Sequence, residues 1–128
     1  MRNILKGKVA LILVLISFFI LLDLLIGLEG KCKVWPYIDT KFARNFSVNK
    51  FNGISHGMNY HEVKLILGEP LFFSDERLTS VQPKNAIFIS VYSIDGRCEW
   101  ADFAWKSFDI YFDKDTLVIG KHSQWWYD

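Results

Sequence analysis

The sequence predicts an α+β domain held to a membrane by one hydrophobic N-terminal helix. Three observations predict it. A long apolar run lies near the N-terminus, one short helix has both ends specified by local residues, and the C-terminal third switches to twofold alternation. The 128 residues suffice for one domain plus an anchor, and fall short of two ordinary domains. With 51% hydrophobic and 16% aromatic residues the chain can build a core. The formal net charge is +1, both signs are scattered, and no basic stripe is interleaved with aromatics, so a nucleic-acid partner is not expected.

The first element is the anchor. Val9 to Leu28 reads VALILVLISFFILLDLLIGL, long enough for a helix to cross a ~30 Å hydrocarbon core. Arg2, Lys6 and Lys8 precede it, as in a signal sequence. The exit, Gly27 to Cys32, lacks the paired small residues of a cleavage site. Residues 1–28 are therefore expected to form an uncleaved signal anchor, a single-pass transmembrane helix. Lys31 stands before Cys32 where lipid attachment needs a small residue, so lipidation is not expected. Asp23 is read as a charge tolerated near the membrane boundary. The short basic tail resembles an export signal and places the domain on the extracytoplasmic, periplasmic side.

Residues 29–46 read as a connector, with Pro36 against regular helix and Trp35 and Tyr37 suited to an interface or to packing. Residues 47–128 form the domain. Ser47 is a reasonable N-cap for a short helix that puts Val48 and Phe51 on one face and ends at Gly53. The next helix is more strongly marked. Asn59 can cap it, Glu62 completes a capping box, and Met58 and Val63 occupy the hydrophobic-staple positions. Val63, Ile66 and Leu67 make its apolar stripe, Gly68 ends it, and Pro70 blocks continuation. Residues 72–85 read as a loop. Ala86 to Ile94 reads as one strand, and Asp95-Gly96 as a turn. Trp105 to Phe112 is a second strand, with Phe108, Ile110 and Phe112 on one face. Asp113 to Asp115 turns the chain into a third strand that starts at Thr116 and extends towards Trp125.

The spacing Gly57-Met58, Val63, Leu67-Gly68 and Pro70, with Phe112 to Val118 downstream, resembles the SmpA/OmlA family of BamE-like domains. The resemblance covers roughly residues 47 to 120. It implies two short helices packed on a three-stranded antiparallel sheet. It also implies a role in envelope or outer-membrane protein assembly, by binding a partner protein such as an assembly subunit.

Chemistry is sparse. His61-Glu62 opens like a zinc-protease helix, but Leu65 stands where the second ligand belongs, and His56 need not converge with His61. Asp113 and Asp115 resemble the start of a calcium loop, but Val118 and Gly120 follow where oxygen ligands are needed. Asp95, Glu99, Asp102 and Asp109 show no acid–base spacing. No catalytic residue, metal or cofactor is expected, and the chain reads as a non-enzyme. Aromatics remain: Trp100, Phe103, Trp105, Trp125, Trp126 and Tyr127 exceed what one buried face of three short strands needs. They either pack the core or form an exposed binding surface. Trp100, Trp105, Trp125, Trp126 and Tyr127 are the candidate partner-binding residues. Cys32 and Cys98 are far apart in sequence and form a possible disulfide or two separate thiols. The expected function is a membrane-anchored protein-binding module. The alternative is a membrane-tethered inhibitor or immunity-type protein that binds a toxin or enzyme.

Overall fold

The computed structural model describes residues 2–26, 30–75, 82–97 and 102–127. In chain order the elements are α1 (Arg2–Ile26), β1 (Thr40–Phe42), α2 (Val48–Asn52), α3 (Tyr60–Leu67), β2 (Phe72–Ser74), β3 (Phe88–Val91), β4 (Ser93–Asp95), β5 (Trp105–Phe112) and β6 (Val118–Trp126). The strands make two antiparallel sheets. One has four strands in the order β2-β3-β5-β6, and the other pairs β1 with β4. Among the described residues the α+β class and the two short helices after a long N-terminal helix stand, and the sheet is corrected: a four-stranded and a two-stranded sheet replace one three-stranded sheet.

The anchor is corrected too. Among the described residues no helix is long and apolar enough to cross a membrane. Lys8 and Asp23 bound the uncharged stretch of α1 from Val9 to Leu22. That stretch is about 21 Å long at 1.5 Å per residue, short of a ~30 Å hydrocarbon core. The single-pass placement, and the side of the membrane inferred from it, fall with that finding.

The two short helices form for the reasons their caps supply. The Asn59 side chain accepts from the Glu62 backbone N–H at 2.9 Å, and the Glu62 carboxylate accepts from the Asn59 N–H at 2.8 Å. Two orphan donors of the first turn of α3 are thereby satisfied reciprocally. Gly68 ends α3 at φ +85°, where a Cβ would lie 2.7 Å from the Arg44 carbonyl oxygen. Both the dihedral and the close approach require glycine there. At α2, Ser47 holds the N-cap position without a side-chain bond. Its other end is held from across the sheet: Lys121 donates to the carbonyls of Phe51 (3.0 Å), Asn52 (2.6 Å) and Ile54 (2.8 Å). A cation on these terminal carbonyls satisfies them and complements the helix dipole.

Three strand assignments change. Ala86 to Ile94 is two strands, not one. The chain breaks at Tyr92, whose N–H donates to Phe108 O and whose carbonyl accepts from Ala43 N–H. Beyond it, β4 leaves the large sheet to pair with β1. The presumed loop after Pro70 contains β2, a three-residue edge strand on β3. The presumed connector contains β1, and its Tyr37, Phe42 and Phe46 pack against the core. Asp39 is fully buried and ties this segment to the sheet, its carboxylate accepting from Phe103 N–H and its carbonyl from Gly96 N–H.

The main core fills one face of the large sheet. Phe108, Ile110 and Phe112 of β5 and Tyr92 meet Phe51 of α2 and Val63 and Leu67 of α3. Six of these seven side chains carry no polar atom, and each fully buried one contributes about 1.5–3 kcal/mol by leaving water. Tyr92 keeps a partner for its hydroxyl, which donates to Gly68 O at 3.4 Å, and burial pushes its pKa well above the usual value.

Candidate functional site

Alternation along β5 divides its side chains between two environments. Phe108, Ile110 and Phe112 enter the core under the helices. Trp105, Ser107 and Asp109 point to the opposite, outer face, where they line an apolar groove with Ile89 and Val91 of β3, Ser93 and Ile94 of β4, and Trp126 of β6. The groove encloses about 230 Å³. Its register follows from the β5–β6 pairing, which sets Trp105 opposite Trp126, Ser107 opposite Gln124 and Asp109 opposite His122.

The two ends of this outer face differ. At one end Tyr111, Ile89, Val91 and Ala86 form a small second core. Pro83 comes down on Gly120 there, with its Cγ 3.3 Å from where a Cβ would stand. At the other end the face is open among the described residues. Trp105 and Trp126 stack with ring centroids 6.0 Å apart and planes at 20°. Trp126 is 37% exposed and Tyr127 61% exposed, so large aromatic area meets solvent beside the groove.

Asp109 sits between these ends. It is 4% exposed, and burial raises its pKa from 3.8 to about 6. A hydrogen bond with Ser107 and the charge of His122 pull it back only in part. His122 in turn lies 3.2 Å from the Gln124 side-chain oxygen. A carboxylate kept in an apolar groove at a cost in ionisation is a common mark of a working site.

The other candidates resolve as follows. Trp125 lies on the core side of β6, not in the groove. It stacks on Tyr37 at 5.7 Å, with Lys31 and Lys106 over its ring at 4.6 and 5.5 Å. Trp100 and Cys98 lie outside the described residues, so the disulfide expectation falls there, and Cys32 is buried. His56 and His61 are exposed, and no group of three or more metal-ligating side chains gathers among the described residues. The Asp113 carboxylate is engaged in its own turn, accepting from the N–H groups of Asp115 and Leu117 at 2.9 Å each.

Of the residues named from sequence, Trp105 and Trp126 lie at the groove with Tyr127 beside them, while Asp109 was passed over. The signal was available: Asp109 shares the parity of Trp105 and Ser107 on a strand whose other face is apolar. No family model matches this chain, and no curated protein matches it.

Proposed function

We propose that this chain is a non-enzymatic protein-binding module whose partner engages the open end of the outer sheet face. The observation that carries the reading is the stacked Trp105–Trp126 pair, partly exposed and flanked by Tyr127, beside an apolar groove. Tryptophan and tyrosine bury large area at small conformational cost and dominate interface energetics. The resemblance of the α3 motif to the SmpA/OmlA family is what suggests envelope-assembly proteins as partners. That motif lies in α3 and its caps, away from the groove, so it bears on partner class and not on the binding surface.

The test is a pull-down of the full-length protein from native extracts, with mass spectrometry of the bound chains. Recovery of envelope-assembly subunits, lost with Trp105→Ala/Trp126→Ala, supports the reading. Recovery of a single toxin or hydrolase instead points to an inhibitor. Capture unaffected by the double substitution removes the proposed surface.

A further inference from the structure

We infer that the outer-face groove is a receptor for an arginine side chain of the partner protein, with the guanidinium on Asp109 and its plane against the Trp105–Trp126 pair. The inference rests on the protein-binding reading above and names what the surface recognises.

The two faces of the sheet supply the argument. On the core side, the indole of Trp125 is met by cations of this chain, Lys31 and Lys106, over its ring. There the fold satisfies an aromatic face with its own charges. The outer face has the same aromatic chemistry doubled, in Trp105 and Trp126, and adds a carboxylate. Among the described residues lining the groove there is no lysine or arginine. The other lining groups are aliphatic side chains and the hydroxyls of Ser93 and Ser107. The only basic group brought opposite Asp109 by the strand register is His122, and its ring is engaged with Gln124. The groove thus combines a carboxylate floor and aromatic walls with no lysine or arginine among its described lining residues, the imidazole of His122 being the basic group whose charge reaches Asp109.

Arginine fits this combination better than lysine. Its planar guanidinium can stack on an indole and present two parallel N–H groups to one carboxylate, and it is less strongly hydrated than an ammonium. An ion pair formed in a groove this apolar is also poorly screened. The groove's opening at the Trp126–Tyr127 end gives an extended segment of the partner a place to lie across the aromatic surface.

The experiment titrates full-length protein with three blocked tripeptides, Ac-Gly-X-Gly-amide, where X is arginine, citrulline or lysine. Indole N–H resonances of the tryptophans are followed by NMR. The expected result is movement of the Trp105 and Trp126 signals by the arginine peptide. Affinity should be weaker by about tenfold or more for citrulline, which keeps the shape and lacks the charge. Asp109→Asn should reduce arginine binding by the same factor while its thermal melt shows a folded protein. Equal binding of arginine and citrulline peptides, or movement of Trp125 alone, overturns the inference. The partner pull-down separates the two levels of the account. If Asp109→Asn keeps the partner and Trp105→Ala/Trp126→Ala loses it, the arginine receptor is wrong and the protein-binding reading stands. If both variants keep the partner, both are wrong.

Discussion

The two faces of the four-stranded sheet are built from the same strands and do opposite things with them. The face under α2 and α3 is closed, apolar and self-satisfied: Phe108, Ile110 and Phe112 are at most 1% exposed, and the cations near its aromatics come from the chain itself. Among the described residues, the outer face is closed only at its Tyr111 end. Towards Trp105 it leaves an apolar groove open, exposes aromatic rings and buries a carboxylate that would ionise more easily in water. A fold optimised only for stability would place an aliphatic residue at position 109. On the proposed reading, the difference separates what serves folding from what is left for a partner.

Substitutions should sharpen that contrast, and the largest effect belongs to the closed face. Phe108→Ala leaves a cavity among Phe42, Phe46 and Phe51. It should lower stability by about 3–5 kcal/mol in denaturant titrations. Gly68→Ala forces a Cβ against the Arg44 carbonyl at a positive φ, and should cost about 1–3 kcal/mol in the same assay. Asn59→Ala removes half of the capping box and should cost about 1 kcal/mol. On the open face, Trp126→Ala loses one stacked pair worth about 0.5–1.5 kcal/mol and should leave a folded protein with impaired partner binding.

The most diagnostic effect is a pH dependence. The folded-state pKa of Asp109 lies above its unfolded value, so the native state holds its proton longer. Stability from this group is fully present below about pH 4 and is lost as pH rises through about 6. The unfolding free energy should therefore fall across that window relative to Asp109→Asn. The difference should be seen by repeating melts of both proteins from pH 4 to 8. Coincident profiles would mean that the carboxylate is not confined as described.

Legibility followed the range of the interactions. The cap, staple and stop of α3 are local, and Asn59, Glu62 and Gly68 announced them in sequence. Strand β5 was legible to its ends because its apolar alternation is long. The break at Tyr92 was invisible, because it depends on β1 arriving from fifty residues upstream to take β4. Strands β1 and β2 have three residues each, too few for a period to show. The long apolar run was read by its hydropathy, and the charges at Lys8 and Asp23 proved to limit it. At the candidate site the aromatics were legible as an excess. Their division was not: Trp125 and Trp126 are neighbours in sequence, yet pleating sends them to opposite faces.

That division provides the most direct test of the account. Partner capture from native extracts should be measured with wild type, Trp125→Ala and Trp126→Ala, each shown by thermal melting to be folded. The account predicts that Trp126→Ala loses the partner and Trp125→Ala keeps it. Loss with Trp125→Ala and retention with Trp126→Ala would place the binding surface on the wrong side of the sheet and contradict the account.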